Sequence, residues 1–195
     1  MEERLSLQDQ FAPSLACFGC GPANSLGLQI KSYVQGDQVV AHFSPQVHHQ
    51  AYEGMVNGGI LGALLDCHMN WTAAWHLMRQ AGLETPPCTV TARYCVSFEA
   101  PTPLNEELRL VAWVEDSSQR RADIKATLGV GDVVTARGDG TFVSVKPGHP
   151  AYHRWQGANL VRSVIYLLFK LCMEVFETSR LISGSIVQRC CPPVV

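Results

Sequence analysis

Residues 57–78 read NGGILGALLDCHMNWTAAWHLM, and Asp66 is the only Asp, Glu, Lys or Arg among them. A segment this apolar, opened by a glycine pair and free of proline, reads as a helix buried on nearly all sides. A carboxylate in such a helix is costly to desolvate unless something pairs with it or uses it. Asp66 is therefore the leading candidate for a functional residue. The helix is expected from about Asn57 to Arg79, ending before Gly82, Pro86 and Pro87.

Runs of strand character flank this helix. Before it, Leu26–Val34 and Gln38–Phe43 read as a hairpin around Gln35-Gly36-Asp37. Ser44–Met55 reads as a polar loop carrying His48, His49 and Tyr52. After it come Thr89–Glu99, Glu106–Glu115, Arg120–Gly129 and Val133–Val145, separated by turn chemistry such as Ala100-Pro101-Thr102-Pro103 and Gly131-Asp132. Partial alternation of Val, Leu, Tyr, Phe and Trp suits a sheet with one buried face. One buried helix against one antiparallel sheet is an α+β layer architecture. A single sheet covers only one side of so apolar a helix, so an oligomer is expected to cover the rest.

The ends differ in character. Residues 1–16 read as a loose leader, acidic and without the apolar core of a secretory signal. From residue 149 the strand pattern stops, and a helix is expected around 158–178. Its run LVRSVIYLLFKLCMEVF carries Arg162, Lys170 and Glu174, which argues for a surface-docked helix and against a membrane span. The closing CCPPVV is not a prenylation motif. This divides the chain into a leader, a domain over residues 17–148 and a C-terminal extension over 149–195.

Composition sets outer limits. The 195 residues are 47% hydrophobic and 16% charged, enough for a sizeable core in one domain. A net charge of −2 offers no basic excess for nucleic acid. Of the eight cysteines, Cys67 falls in the apolar helix and Cys95 in a strand-like run, which suits reduced thiols in a cytoplasmic protein.

Three segments together resemble the PaaI-like group of hotdog-fold acyl-CoA thioesterases. They are CFGCGPANSLGLQI at Cys17–Ile30, GMVNGGILGALLD at Gly54–Asp66, and TARYCVSFEAPTP at Thr91–Pro103. The second is the most specific, being similar to the His-Gly-Gly opening of that family's central helix with an acid farther along. The resemblance spans most of the chain, roughly Cys17 to Val145. It implies a long helix wrapped by an antiparallel sheet of about six strands, dimers joined sheet edge to sheet edge, and often tetramers. It implies hydrolysis of acyl-coenzyme A with no cofactor beyond the coenzyme A of the substrate, at a site shared across the dimer. Gly58 then corresponds to the glycine whose amide polarises the thioester carbonyl, Asp66 to the acid from the other subunit, and Thr91 to the hydroxyl that positions water. Asn57 departs from the family's His: its carboxamide still donates a hydrogen bond but carries no titrating proton. Cys67 stands where many relatives have Glu, leaving Asp66 as a lone carboxylate.

The residues carry the same chemistry when read by themselves. Free amides at a helix start stabilise a developing oxyanion, and Gly58 and Gly59 let a substrate approach closely. Asp66 lies eight residues beyond Gly58, roughly 12 Å along a helix axis. Both act on one carbonyl only if Asp66 comes from a second copy across a twofold axis. Asp66 could serve as a general base or as a nucleophile.

Plainer roles stand beside these. Asp66 could be paired with Arg93, Arg109 or Arg121. Asn57 could be a helix N-cap, and Thr91 an ordinary strand threonine. Trp71, with Trp75 and Met78, could be core or acyl-pocket wall. Arg120 and Arg121 could meet coenzyme A phosphates or end a solvated strand. Cys17-x-x-Cys20 has half of a zinc spacing but no second pair, so no metal is expected. Two rival functions remain in view: a hotdog enoyl-thioester hydratase or dehydratase, for which His68 would have to move protons, and a non-catalytic acyl-thioester binding protein.

Overall fold

The computed structural model describes residues 5–156. A short helix α1 (Leu7–Phe11) precedes a hairpin of β1 (Lys31–Gln35) and β2 (Gln38–Phe43). A 3-10 turn at Val47–His49 and a small hairpin of β3 (Gln50–Tyr52) and β4 (Met55–Val56) lead into the long helix α2 (Gly58–Gln80). Four strands follow: β5 (Thr89–Phe98), β6 (Leu108–Ser117), β7 (Arg121–Val130) and β8 (Val133–Ser144). The main sheet is antiparallel with strand order β1-β2-β6-β7-β8-β5. One helix wrapped by this sheet is the hotdog fold.

Fourteen of the 23 residues of α2 are buried, as its nearly unbroken apolar sequence requires. Leu64, Leu65 and Met69 are fully covered, as are Leu110, Leu128 and Phe142 on the facing strands. The helix starts where Asn57 caps it, its side-chain oxygen accepting the Gly59 amide at 2.8 Å. It ends at Ala81, followed by Gly82 at φ +63°.

Three expectations are corrected. The leader is not loose over residues 5–16. Ser6 caps α1, and Leu7, Ala12 and Leu15 join the core. Gln8 is wholly buried: its Nε2 donates to Ser32 Oγ at 2.9 Å, and its Oε1 accepts the Ser32 amide at 2.8 Å. The first strand begins at Lys31 and not Leu26. Gln29 sits at φ +50° and interrupts extended backbone, and Leu26 projects into solvent. The segment Ser44–Met55, expected as a polar loop, carries β3 and the first residue of β4.

Beyond the sheet, a second 3-10 turn at Arg154–Gln156 lays Trp155 on Trp71, with ring centroids 4.5 Å apart. The helix expected around 158–178 lies outside the described residues.

Candidate active site

Helix α2 and edge strand β5 run antiparallel, and four residues spaced by four along the helix meet four along the strand. Thr89 Oγ1 donates to Asn70 Oδ1 at 2.8 Å, and Thr91 Oγ1 donates to Asp66 Oδ1 at 2.7 Å. Farther along, the Tyr94 hydroxyl lies 3.4 Å from where a Cβ on Gly62 would sit. The Phe98 ring comes within 3.2 Å of the equivalent point on Gly58. Positions four apart share a helix face, so Gly58, Gly62, Asp66 and Asn70 form one stripe along the strand. The two glycines leave room for aromatic rings against the helix backbone.

The stripe is half open. Asp66 and Gly58 are partly buried, and Asn57 and Gly59 are exposed. Strand β5 is exposed over most of its length, including Tyr94, Cys95 and Phe98. A ten-residue edge strand displaying aromatic side chains and unpaired backbone groups is a template for pairing with another chain.

The electrostatics of Asp66 follow from this position. Burial pushes its carboxyl above the ordinary carboxylate range, the Thr91 hydrogen bond and the Arg154 charge oppose the rise, and Cys17 adds to it. Asp66 makes no ion pair among the described residues. Two of the arginines considered as partners are engaged elsewhere: Arg93 bonds Asp139 at 2.7 Å and Arg121 bonds Asp123. The cation bearing on Asp66 is Arg154, whose Nη1 also donates to the Thr89 carbonyl at 2.8 Å. No sequence signal pointed to Arg154, because only folding brings residue 154 beside the helix.

At the helix start, Asn57 has committed its oxygen to the Gly59 amide, which leaves its carboxamide N–H groups to face outward. The amides of Ile60 and Leu61 bond the Asn57 carbonyl. The Gly58 amide makes no hydrogen bond among the described residues, so the oxyanion donor expected from the sequence is an available one.

Other expected residues lie elsewhere. Trp71 is wholly buried, donating its Nε1–H to Cys20 Sγ at 3.3 Å and stacking on Trp155. Of its two sequence readings, core is the one its surroundings match. Arg120 bonds the Ser144 carbonyl, and it and Arg121 are exposed at the β6–β7 turn. His68 is wholly buried with both ring nitrogens engaged, Nδ1 with Ser32 Oγ at 2.9 Å and Nε2 with the Val39 carbonyl at 3.0 Å. A carbonyl only accepts, so Nε2 carries the hydrogen and Nδ1 accepts from Ser32. That closed network leaves His68 no route to a substrate, against the hydratase alternative.

A cavity of about 710 Å³ lies at the other end of α2, lined by Trp75, His76, Arg79 and Trp113 among others. It includes neither Asp66 nor Gly58, and its size does not make it the reactive centre.

No protein-family model and no curated protein sequence matches the chain. Among solved structures, a thioesterase superfamily protein from Shewanella loihica PV-4 is 33% identical, the match covering 64% of this chain and 98% of that one at a TM-score of 0.53. The chain belongs to the thioesterase superfamily. Two more distant structures share the fold. One is a putative thioesterase related to phenylacetic acid degradation from Ralstonia eutropha JMP134, at 21% identity and TM-score 0.52, over 63% of this chain and 89% of that one. The other is the PaaI protein from the phenylacetic acid degradation operon of E. coli, at 14% identity and TM-score 0.51, over 61% and 81%.

Proposed function

We propose that this protein hydrolyses acyl-coenzyme A thioesters to free acid and coenzyme A, in the cytoplasm, at a site completed by dimerisation. The observation that carries the reading is Asp66. It is a half-buried carboxylate with no ion-pair partner among the described residues, oriented by Thr91 on the open face of α2. Membership of the thioesterase superfamily supports the same reaction class.

In this reading two copies join along β5 with their α2 helices antiparallel, and the dimers could pair into tetramers. The thioester carbonyl of a bound substrate accepts from the Gly58 amide, whose helix dipole favours the charge that develops on oxygen. Asp66 of the partner subunit approaches from the other side. Thr91 occupies one carboxylate oxygen and leaves the other free to take a proton from water. The water attacks the carbonyl carbon, the tetrahedral intermediate collapses, and the coenzyme A thiolate leaves and is protonated. Direct attack by Asp66 to form a mixed anhydride is the alternative course. Asn57 assists through its outward N–H groups. Gly59 admits the acyl chain beside the helix start, and Arg120 and Arg121 offer charge to the coenzyme A phosphates.

The test is thiol release from short, long and aromatic acyl-coenzyme A substrates, beside Asp66→Asn and Asp66→Ala, with mass measured in solution. Turnover by a dimer or tetramer that both substitutions abolish is the expected result. Binding of acyl-coenzyme A with no thiol release at any chain length would mark a non-catalytic binding protein instead. Turnover that survives both substitutions would remove Asp66 from the chemistry.

A further inference from the structure

Three cysteine sulfurs converge behind Asp66. Cys17 and Cys20 come from the N-terminal loop CFGC, and Cys67 comes from α2, fifty residues after Cys17. Their Sγ atoms all lie within 4.8 Å of one another, with Cys17 and Cys67 at 3.7 Å. The sequence shows half of this arrangement, a C-x-x-C pair with no second pair to match it. The missing member is a single residue on a helix turn that the loop reaches only in the folded chain.

The plain reading of buried cysteines is that they act as small hydrophobes. Three features go beyond it. First, the 3.7 Å between the Cys17 and Cys67 sulfurs suits a common ion, since ligands about 2.3 Å from a tetrahedral zinc lie roughly 3.8 Å from one another, and the Cys20 sulfur is within 4.8 Å of both. Second, a hydrogen-bond donor is directed at one of the sulfurs. Trp71 Nε1–H donates to Cys20 Sγ at 3.3 Å, from a side chain that is itself wholly buried. Such a donor satisfies thiolate charge and orients the ligand, as a metal's outer shell does. Third, the glycine at residue 19 allows a close approach: a Cβ there would fall 2.4 Å from Cys67 Sγ and 3.2 Å from the Ala63 carbonyl oxygen. The loop is pressed onto the helix at the sulfurs themselves.

We propose that Cys17, Cys20 and Cys67 bind one thiophilic metal ion, of which zinc is the type, through three thiolates. Cys20 and Cys67 are buried and Cys17 is partly exposed, so the fourth position of a tetrahedral ion opens on the Cys17 side and takes water or a small exogenous ligand. The thiols release their protons to solvent as the ion binds. The ion would clamp the N-terminal loop to α2 one residue past Asp66, fixing the helix turn that carries the acid. This site stands whether or not the protein hydrolyses thioesters, since none of its ligands takes part in that reaction.

The experiment uses the full chain, purified under reducing conditions, stripped with a chelator and titrated with Zn²⁺ and with Co²⁺ as a coloured probe. One equivalent is expected to bind, and Co²⁺ is expected to show a thiolate charge-transfer band. Cys17→Ser and Cys67→Ala should each weaken binding at least tenfold and lose the band. Cys95→Ser and the double change Cys190→Ser with Cys191→Ser should keep both. Bound Zn²⁺ should also protect Cys17, Cys20 and Cys67 of the unaltered chain from maleimide labelling, a readout independent of how the variants fold. Failure to bind an equivalent of metal overturns the proposal. So does binding that survives both ligand substitutions, or protection that falls on other cysteines.

Discussion

Thr91 Oγ1 donates to Asp66 Oδ1 at 2.7 Å, so a hydroxyl on the edge strand sets the orientation of the one acid in the centre of the long helix. If Asp66 is the base, replacing it should affect turnover far more than binding. Asp66→Asn is expected to lower kcat by about 100-fold to 10,000-fold, the usual worth of a positioned base, with KM little changed. Thr91→Val should cost about tenfold and Thr91→Ser should restore most of it, because only the hydroxyl is needed. Steady-state thiol release reads each outcome, and equal rates for Thr91→Val and the unaltered chain would leave Thr91 as a packing residue.

Two glycines separate the site from the scaffold. A methyl on Gly58 would meet the Phe98 ring at 3.2 Å, and that side chain, 57% exposed in the single chain, needs to yield by only a few tenths of an ångström. Gly58→Ala should therefore leave the unfolding midpoint nearly unchanged while lowering kcat. A methyl on Gly129 would meet the Val133 carbonyl oxygen at 2.1 Å, where the β7–β8 register shifts. Backbone cannot swing away, so Gly129→Ala should cost about 1–3 kcal/mol in a urea titration.

Burial holds the His68 pKa down to about 4, against about 6.5 for an exposed histidine. Above pH 6.5 the ring is neutral in both the folded and unfolded chain. As pH falls, the unfolded chain takes up the proton first, so stability is lost from about pH 6.5 down to about pH 4. The full loss is on the order of 3 kcal/mol. Urea midpoints at pH 7, 6 and 5 should fall steadily, and the slope should flatten in His68→Gln. Parallel slopes for the two proteins would show that other groups carry the acid sensitivity.

Arg154 helps keep the Asp66 carboxyl ionised against its burial. Removing the cation should raise the Asp66 pKa further. A base works only when ionised, so the acid limb of kcat/KM should move to higher pH in Arg154→Ala and move back in Arg154→Lys. An unmoved limb would show that Arg154 serves only its bond to the Thr89 carbonyl.

Much of this architecture was legible in the chain itself. The helix is bounded by Gly58 and Gln80, and β2 spans Gln38–Phe43, because hydrophobic period and turn chemistry act locally there. Asp66, Gly58 and Thr91 were legible for another reason: a charge, a glycine pair and a hydroxyl stand out against apolar or strand-like surroundings. Gln8 was not, since a glutamine in a polar leader gives no sign that Ser32 waits to bond both ends of its amide. The contact of Cys67 with Cys17 and that of Arg154 with Thr89 were not legible, for a shared reason. Each joins residues about fifty or more positions apart, and single-sequence spacing carries no such distance.

The chain of bonds from Gln8 through Ser32 to His68 bears on where the domain can be cut. Shortening the protein to begin at residue 17, the border its sequence suggests, would discard the glutamine and leave the amide and hydroxyl of Ser32 each short of a partner in a dry interior, beside the histidine that the hydroxyl orients. Such a truncation should express poorly or unfold early. What resembles a dispensable lead-in is the keystone between the first hairpin and the central helix.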